Sequence, residues 1–369
     1  MDTEGAFMEE ELKRVIIIAE AGVNHNGSLD MALQLVDAAA NAGADMVKFQ
    51  TFKASSVVSS LAPKADYQKR TTGENESQLD MVRKLELGPD VHAALLRRCS
   101  ERGIRFLSTP FDIESVDLLT DTLGLESLKV PSGEITNGPL LLHIGRKGRN
   151  IILSTGMSTL GEIEDALGVL AFGLLQNPAK PSRRGFKSAF FSDEGQTILK
   201  EKVSLLHCTT EYPAPFDEVN LRVMETLRQA FGLAIGYSDH TGGISVPVAA
   251  VALGAQIIEK HFTLDRELPG PDHKASLEPD ELAEMVRSIR QVERALGSSR
   301  KIPGPSEMKN LGIARKSLVA QRPVRKDEMF SEENMTCKRP GTGMSPMHFW
   351  EVLGRHATRE FEADEVLEI

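Results

Sequence analysis

Short runs of apolar and β-branched residues alternate along the chain with longer segments in which apolar residues recur every three or four positions. Eight runs have the length and composition of strands, and they lie at 15–20, 45–50, 104–109, 127–132, 150–155, 203–208, 233–239 and 255–261. Amphipathic segments between and after them, as at 29–43, 90–103 and 281–297, predict helices. Eight strand–helix units predict a parallel sheet that closes into a (β/α)₈ TIM barrel. A doubly wound open sheet is the alternative, but the sequence has no GxGxxG turn.

Composition divides the chain into three parts. Residues 1–297 form the predicted barrel domain, in which 173–201 makes an unusually long connection between the fifth and sixth units. We interpret that connection as a surface excursion without chemistry. Residues 298–310 are rich in Ser, Pro, Gly and Lys and predict a linker. Residues 311–369 predict a small module of short strands and loops, which buries little core and is expected to dock on another surface.

Charge and cysteine content limit the classes of function. The net charge of −10 and the pI near 5.5 argue against nucleic acid as a partner, so a bound anion would need a local cluster of positive charge. The three cysteines lie far apart in sequence and predict neither a disulfide framework nor a zinc site. The absence of a signal-like apolar segment and of a membrane-spanning run leads us to expect a cytoplasmic protein without a membrane partner.

Two histidines stand at the ends of the seventh and eighth predicted strands. Because side chains alternate across a strand, His240 shares a face with Ser238, and His261 shares a face with Glu259. The carboxyl ends of parallel strands meet at one mouth of a barrel, so the two imidazoles are expected to lie close together. Two imidazoles beside a carboxylate suit a borderline divalent cation such as Mn²⁺, although a pair of structural histidines is the alternative. A third histidine, His207, is interpreted as a hydrogen-bonded core imidazole.

Polar residues also stand at the ends of the other predicted strands. Lysines occur at two strand ends and hydroxyl residues at three others. Ammonium groups, hydroxyls and backbone amides that converge on one mouth predict a pocket for an anion such as phosphate. Carboxylate, amide and phenol groups at the same mouth suit the hydroxyls of a polyol. The residues concerned are Glu20, Lys48, Gln50, Ser108, Thr109, Lys129, Ser132, Glu134, Ser154, Thr155, Tyr212 and Asp272.

Two reactions can use a metal, a phosphate and a sugar-like partner. In a Schiff-base aldolase, Lys48 or Lys129 attacks a carbonyl, but that lysine needs a depressed pKa, and a neighbouring phosphate would keep it charged. In a metal-assisted condensation, the cation polarises an aldehyde for attack by an enol phosphate. We favour the condensation because it also gives the two histidines a role. A sugar-binding module is the non-enzymatic alternative, and it would need neither the metal nor the phosphate contacts.

Eight motifs spread over the predicted barrel resemble the sialic acid synthase family. They are IIAEAGVNHNGSL, DMVKFQTF, FLSTPFD, LKVPSGEITN, ILSTGM, LLHCTTEYPAP, GYSDHT and IEKHFTLD, the last followed by PGPDH. The tail, with KSLVAQRPVRKDE and KRPGTGMSP, resembles the antifreeze-like (SAF) domain of that family. The resemblance implies a transferase that condenses phosphoenolpyruvate with an N-acylmannosamine-type sugar and water. The products would be a nine-carbon 2-keto acid and phosphate, formed by C–O cleavage with Mn²⁺, or another divalent cation such as Mg²⁺ or Co²⁺, as cofactor.

The resemblance also implies a role for each matched residue. His240 and His261 would bind the metal, and Glu20 and Glu259 would be further catalytic residues. Phosphoenolpyruvate would be held by Lys48, Thr109, Lys129, Ser132, Ser154, Thr210 and Ser238, where Thr210 takes a position at which the family often has Asn or Ser. The sugar would be bound by Glu20, Gln50, Tyr212, Asp272 and Arg339. Arg339 matches an arginine that reaches the sugar from the other subunit of a domain-swapped homodimer, and Arg315 is an alternative for that role.

The same motifs fit more than one sugar. N-Acetylmannosamine, which would give N-acetylneuraminate, is our first expectation. The alternative is 2,4-diacetamido-2,4,6-trideoxymannose, which would give N,N'-diacetyllegionaminate. No extra basic cluster marks a site for the 6-phosphate of N-acetylmannosamine. A stand-alone antifreeze-like or partner-binding role for the tail is another hypothesis, but it would leave the polar barrel mouth unexplained.

Overall fold

The computed structural model describes residues 14–59, 61–63 and 77–368. Within these residues the chain forms two compact units, which divide between Gly297 and Ser298. None of the helices in the described residues is long and apolar enough to cross a membrane.

Eight parallel strands form the sheet of the first unit. They are β1 (Ile16–Gly22), β2 (Met46–Thr51), β3 (Arg105–Pro110), β4 (Ser127–Val130), β5 (Asn150–Ser154), β6 (Val203–His207), β7 (Ala234–Asp239) and β8 (Ile257–His261). The hydrogen-bonded order is β3-β2-β1-β8-β7-β6-β5-β4, and β3 and β4, at its two ends, pack against each other. The eight strands therefore form the predicted (β/α)₈ barrel. Each predicted strand is confirmed within two residues of its predicted bounds.

The helices of this unit lie between consecutive strands and after β8. They are α1 (Leu29–Ala42), α2 (Ala54–Val57), α3 (Gln78–Arg83), α4 (Pro89–Arg102), α5 (Ile113–Asp117), α6 (Gly138–Arg146), α7 (Leu160–Leu174), α8 (Arg183–Phe191), α9 (Asp193–Lys202), α10 (Val223–Phe231), α11 (Ser245–Ala252) and α12 (Pro279–Leu296). Their apolar faces share one buried cluster with the outward-facing strand residues, for example Leu35, Leu95 and Met285 with Phe49. The helices predicted at 29–43, 90–103 and 281–297 are confirmed as α1, α4 and α12.

The barrel interior has an apolar layer below a polar mouth. Six strands each contribute one inward-facing apolar residue to this layer: Ile18, Met46, Leu107, Ile152, Leu206 and Ile257. Because side chains alternate along a strand, the residue two positions further on also faces inward, nearer the carboxyl end. Those next positions include Glu20, Lys48, Thr109, Ser154 and Glu259. The two-residue period of the strands thus places the predicted site residues together above the apolar layer.

The long connection between the fifth and sixth units is a folded helical pair. Helices α8 and α9 follow α7, and the rings of Phe186 and Phe172 meet edge to face with centroids 5.3 Å apart. Gly168 in α7 permits this approach, because a Cβ there would lie 3.0 Å from the carbonyl oxygen of Phe186. Ala189 of α8 and Leu199 of α9 are buried. The segment 173–201, interpreted as a surface excursion, thus consists mainly of packed helices, which its highly charged sequence does not indicate.

The second unit begins within the predicted linker. Residues 305–310, predicted as linker, are the first part of α13 (Pro305–Ala314), which starts with a proline and is capped by the Glu307 carboxylate accepting from Gly304 N at 2.9 Å. Strands β9 (Ser317–Ala320) and β10 (Met335–Lys338) form an antiparallel pair, and α14 (Phe349–Val352) follows. A separate small core unites the elements of this unit and contains Leu318, Ala320, Val324, Phe330, Met335, Val352, Ala357, Phe361 and Leu367.

Candidate active site

A buried network of charges occupies the centre of the barrel mouth. Lys48 Nζ lies 3.0 Å from Glu20 Oε2 and 3.5 Å from Glu259 Oε2. Lys129 Nζ lies 3.6 Å from Glu259 Oε1, so Glu259 stands between the two lysines. The side chains of Lys48 and Lys129 are only 4% and 3% exposed. The strands β1, β2, β4 and β8 thus bring two predicted phosphoenolpyruvate-binding lysines and two predicted catalytic glutamates into one cluster.

Hydroxyl groups from three further strand ends, and one from the segment after β4, extend this network. Lys48 Nζ donates to Thr109 Oγ1 at 3.0 Å, and Lys129 Nζ donates to Ser154 Oγ at 2.7 Å. Ser238 Oγ donates to Glu259 Oε1 at 2.9 Å. Ser132, after β4, lies beside them, and Gly156 N donates to its Oγ at 2.9 Å. The lysines and the four hydroxyl residues were predicted to hold phosphoenolpyruvate, and Gly156 adds a backbone amide.

The charge state of the cluster favours an anionic ligand. Burial raises the pKa of Glu20 to about 7, against the opposing effect of Lys48. Burial also acts to raise the pKa of Glu259, but Lys129 and Lys48 outweigh it and hold that pKa at about 2. For Lys48, burial is outweighed by Glu20 and Glu259, which raise its pKa. Burial lowers the pKa of Lys129 against the effect of Glu259. With Glu259 ionised and Glu20 able to hold a proton near neutral pH, Lys48, whose pKa is raised, retains its positive charge for a substrate anion.

Three side chains pack directly against Gly156. A Cβ on Gly156 would lie 2.3 Å from Thr210 Oγ1, 2.8 Å from Ser132 Oγ and 3.0 Å from Cys208 Sγ. Thr210 Oγ1 is buried without a hydrogen-bond partner in the described part of the chain. Ser132 Oγ lies 3.1 Å from Cys208 Sγ. The Gly156 amide and the hydroxyls of Thr210 and Ser132 therefore pack closely together, and this cradle of polar groups suits phosphate oxygens.

Replacing Gly156 with alanine is expected to weaken phosphoenolpyruvate binding. The added methyl group would occupy the cradle and displace the hydroxyls of Thr210 and Ser132. We expect the KM for phosphoenolpyruvate to rise about 10- to 100-fold, the loss expected from one or two strong hydrogen bonds to a charged group, while the KM for the sugar changes little. Gly161→Ala in α7 is the control, because a Cβ there meets nothing within 4 Å. Equal steady-state constants for Gly156→Ala and the wild type would contradict this assignment.

The two predicted metal-binding histidines lie side by side. The ring centroids of His240 and His261 are 5.5 Å apart, and the Tyr212 ring lies 4.2 Å from that of His240. His240 Nδ1 lies 2.6 Å from the carbonyl oxygen of Thr209, so Nδ1 donates and Nε2 keeps its lone pair. Burial lowers the pKa of His240 to about 4, and burial together with His240 and Lys48 lowers the pKa of His261 well below its ordinary value. Both imidazoles are therefore neutral near pH 7, the form that binds a metal.

The histidine pair fits a cation that takes its other ligands from water or substrate. His261 Nδ1 is buried and has no hydrogen-bond partner among the described residues, and Asp272 Oδ2 lies 3.8 Å from it. Across residues 14–59, 61–63 and 77–368, no cluster of three or more His, Cys, Asp or Glu side chains has the arrangement of a metal site. Two imidazoles with open positions suit a divalent ion that also binds substrate oxygens.

Predicted sugar-binding groups surround Gly22 at the end of β1. A Cβ on Gly22 would lie 3.3 Å from Glu20 Oε1, 3.6 Å from Asp272 Oδ2 and 3.6 Å from Gln50 Nε2. Gly22 also has a φ of 53°, which favours glycine. Burial raises the pKa of Asp272 to about 6. Two carboxyl groups and an amide around one small space provide both donors and acceptors for sugar hydroxyls.

Asp272 is held by a polar link between the loops that follow β1 and β8. Ser276 Oγ donates to the carbonyl oxygen of Asp272 at 2.7 Å, and Asn24 Nδ2 donates to Ser276 Oγ at 2.9 Å. His273 Nδ1 lies 2.7 Å from Thr263 Oγ1 in the same loop. The motifs containing Asn24 and Asp272 were recognised in the sequence, but their connection required the structure.

The structure also locates His207, the two arginines considered for the dimer contact, and Cys208. His207 is a core imidazole as predicted, with Nε2 2.7 Å from the carbonyl oxygen of Val219. Arg339 and Arg315 belong to the second unit and are exposed, and Arg339 Nε donates to the carbonyl oxygen of Ala314 at 2.9 Å. Cys208 was not predicted as a site residue. The alternation that places Leu206 inside the barrel would have found Cys208, two positions further on.

The fold and this mouth define a barrel enzyme with a cationic, hydroxyl-lined site for an anionic substrate. Residues 35–301 match the NeuB family, and residues 315–368 match the SAF domain. The chain belongs to the NeuB family.

Relatives of the chain include proteins named as synthases of N,N'-diacetyllegionaminic acid and of sialic acid. The chain is 52% identical over 356 residues to N,N'-diacetyllegionaminic acid synthase of Campylobacter jejuni, covering 96% of this chain and 99% of the relative. It is 43% identical to N,N'-diacetyllegionaminic acid synthase of Legionella pneumophila, covering 95% of this chain and 92% of the relative. The crystal structure of N-acetylneuraminic acid (sialic acid) synthetase from Leptospira borgpetersenii matches with a TM-score of 0.65 and 35% identity, covering 81% of this chain and 90% of that chain. The chain is thus an enzyme of the condensing-synthase class.

Proposed function

We propose that the chain is an N,N'-diacetyllegionaminate synthase. It would condense phosphoenolpyruvate with 2,4-diacetamido-2,4,6-trideoxymannose and water and release phosphate. The observation that carries this proposal is the 52% identity, over nearly the whole of both chains, to the Campylobacter jejuni enzyme of that name. The identity to the sialic acid synthetase of known structure is 35%. N-Acetylneuraminate synthesis, which the motifs alone placed first, therefore becomes the second candidate.

The charged network would bind phosphoenolpyruvate. Lys48 and Lys129 would pair with its phosphate and carboxylate groups, because the two ammonium groups share only one fully ionised carboxylate, that of Glu259. Hydroxyls around the lysines would fix the orientation of the enol phosphate. These hydroxyls belong to Thr109, Ser132, Ser154, Thr210 and Ser238.

The sugar would enter beside Gly22. Glu20, Gln50 and Asp272 converge there and would form hydrogen bonds with the hydroxyl groups of the sugar. A divalent cation held by His240 and His261, Mn²⁺ in our proposal, would polarise the aldehyde of the open-chain sugar when bound. Glu20, with its pKa raised to about 7, can hold a proton at its carboxyl group and donate a hydrogen bond to a sugar oxygen near neutral pH.

The proposed reaction forms one carbon–carbon bond and breaks one carbon–oxygen bond. C3 of phosphoenolpyruvate attacks the aldehyde carbon, and the aldehyde oxygen takes a proton and becomes a hydroxyl group. Water then adds to C2, which has become cationic, and the added water releases a proton. The bond between C2 and the bridging oxygen then breaks, so that phosphate leaves with that oxygen and the keto oxygen comes from water.

Oxygen labelling tests this order of bonds. Phosphoenolpyruvate labelled with ¹⁸O at the bridging position is expected to give labelled phosphate and an unlabelled keto acid, measured by mass spectrometry. When the reaction is run in ¹⁸O-labelled water, the keto oxygen should carry the label. The keto group is reduced at once, before its oxygen can exchange with water. Bridging label retained in the keto acid would show P–O cleavage and contradict the proposed order.

The proposed substrate is tested by phosphate release with a panel of sugars. We expect the highest kcat/KM with 2,4-diacetamido-2,4,6-trideoxymannose, a lower value with N-acetylmannosamine and the lowest with its 6-phosphate. Phosphate release with N-acetylmannosamine at an equal or higher kcat/KM would favour the sialic acid candidate. Absence of phosphate release with every sugar would contradict the condensation itself.

We also propose that the chain works as a homodimer in which the SAF unit of one subunit supplies Arg339 to the sugar site of the other. A guanidinium group donates in a fork that suits the carbonyl oxygen of an N-acyl group. Arg339 is exposed in the second unit and so is accessible to a second chain. Exchange of a small module between subunits is a low-cost route to a dimer.

Complementation distinguishes action in trans from action in cis. Arg339→Ala is expected to raise the KM for the sugar about 10-fold or more, the cost of a charged hydrogen bond, and to leave the KM for phosphoenolpyruvate nearly unchanged. Random remixing of His261→Ala and Arg339→Ala subunits should restore up to roughly a quarter of the sites if the arginine acts in trans. If every site remains defective after verified subunit exchange, Arg339 serves its own barrel. Arg315→Ala is the matched variant, because Arg315 is the alternative candidate.

A further inference from the structure

An ion pair lies fully buried on the outer face of the two strands that carry the histidines. Lys260 Nζ lies 2.5 Å from Asp239 Oδ2, and both side chains are 0% exposed. Asp239 directly precedes His240, and Lys260 directly precedes His261. The two charged residues are also register partners in the parallel pairing of β7 with β8. The pair therefore joins the strands one residue before each imidazole.

The pair also fixes the chain immediately after His240. Thr241 N and Thr241 Oγ1 donate to Asp239 Oδ1 at 3.1 and 2.9 Å. Lys260 Nζ donates in addition to the carbonyl oxygen of Thr241. His240 is thereby bracketed by two residues that are both bound to Lys260 of the neighbouring strand. A movement of His240 relative to His261 would have to break this buried network.

Stability alone does not explain such a pair. Removing two charges from water costs several kcal/mol for each ion, and replacing a buried pair by apolar residues is often neutral or stabilising. The hydrogen bonds of Lys260 Nζ go to Asp239 and to the carbonyl oxygen of Thr241, and neither residue belongs to the anion cluster or the sugar-binding groups described above. A directional contact that sets the spacing of two neighbouring groups is a role that apolar packing would not fill as well.

We infer that Asp239 and Lys260 are positioning residues, which hold His240 and His261 at the spacing that a shared divalent cation requires. This inference rests on the metal site of the proposed function. The ion pair fixes the relative position of the β7 and β8 backbones, from which the two imidazoles project. The carbonyl oxygen of Thr209 fixes the orientation of the His240 ring. The predicted consequence is a change in metal affinity without a change in the anion site.

The test is a direct measurement of Mn²⁺ affinity, in which the electron paramagnetic resonance signal reports the concentration of free Mn²⁺. Phosphoenolpyruvate affinity is measured in parallel by calorimetry. The main variant is Asp239→Asn/Lys260→Met, which removes both charges together and leaves no buried charge unpaired. We expect Mn²⁺ affinity to fall about 10- to 100-fold, as for other groups that orient metal ligands, while phosphoenolpyruvate affinity stays within about 2-fold of wild type. Thr241→Val is a milder variant that deletes only the hydroxyl contacts to Asp239, and it should weaken Mn²⁺ binding several-fold, while Thr241→Ser should restore it.

The matched control is Asp45→Asn/Arg290→Met. Arg290 Nη2 and Asp45 Oδ2 form a 2.5 Å ion pair, largely buried, between α12 and the start of β2, away from the mouth. This control should keep the Mn²⁺ affinity of the wild type. If the wild type binds Mn²⁺ and both folded variants, at Asp239/Lys260 and at Thr241, bind it equally tightly, the inference is overturned and the proposed metal site stands. If the wild type binds no Mn²⁺, the metal site fails and the inference fails with it.

Discussion

Lys129→Met is expected to lower kcat/KM for phosphoenolpyruvate about 10²- to 10³-fold. Lys129 Nζ lies 2.7 Å from Ser154 Oγ and 3.6 Å from Glu259 Oε1, inside a cluster that excludes solvent. Truncating one member of such a buried charge pair costs about 2–5 kcal/mol, and each 1.4 kcal/mol is a factor of ten. The substitution also leaves Glu259 with one lysine fewer, so that its negative charge opposes the substrate anion. Steady-state kinetics with phosphoenolpyruvate as the varied substrate measure the effect.

The matched control is Lys147→Met. Lys147 also pairs with two carboxylates, those of Asp117 and Asp121, at 2.6 Å each, but it lies just before the amino end of β5. The opposite end of each strand carries the site, so Lys147→Met should keep wild-type kinetics. A value of kcat/KM for Lys129→Met within a few-fold of wild type would show that Lys129 is structural and would remove one half of the proposed anion site.

Removal of the divalent cation is expected to abolish turnover, and Mn²⁺ is expected to restore it best. A metal ion that polarises a carbonyl stabilises the transition state by several kcal/mol. His261→Ala should therefore reduce kcat about 10³-fold or more. His261 Nδ1 is buried without a hydrogen-bond partner in the described residues, so the substitution breaks no hydrogen bond at that atom, and we expect an unchanged circular dichroism spectrum. His143→Ala, which removes a half-buried histidine from α6, is the control.

Full turnover in excess chelator would rule out the proposed metal. Borohydride reduction then distinguishes the remaining chemistry. Burial lowers the pKa of Lys129, which is also the property that a Schiff-base lysine needs. We expect no sugar or pyruvate adduct on Lys129 or Lys48 after borohydride treatment with substrates. A trapped adduct on either lysine would support the aldolase hypothesis.

The strands and the inward-facing site residues could be predicted because one periodicity controls both. The two-residue alternation that buries Ile18 and Ile257 also places Glu20 and Glu259 at the mouth. The helices α8 and α9 were not predicted, because their packing depends on a few residues such as Phe186 within a highly charged segment. Helix α13 was also not predicted, because its serine, proline and glycine neighbours have the composition of a linker.

The structure adds to the candidate site what only three-dimensional contacts can supply. The face on which Lys260 lies follows from alternation, but its ion pair with Asp239 depends on the register between β7 and β8. The cradle at Gly156 depends on Thr210 and Cys208, which come from a different strand end. The motifs led us to rank N-acetylmannosamine first, although the residues that they place in the mouth suit groups common to all the candidate sugars. The relatives changed that ranking.

Competition between two sugars in one mixture is the most direct test of the account. The enzyme is given Mn²⁺, phosphoenolpyruvate and equal concentrations of 2,4-diacetamido-2,4,6-trideoxymannose and N-acetylmannosamine, and the early products are identified by mass. The ratio of the two keto acids equals the ratio of the two values of kcat/KM. We predict that N,N'-diacetyllegionaminate predominates by about 10-fold or more, as expected when a polar group that recognises the substrate lacks its partner in the competitor. A mixture in which N-acetylneuraminate predominates, or in which neither nine-carbon acid forms, would contradict the proposed function.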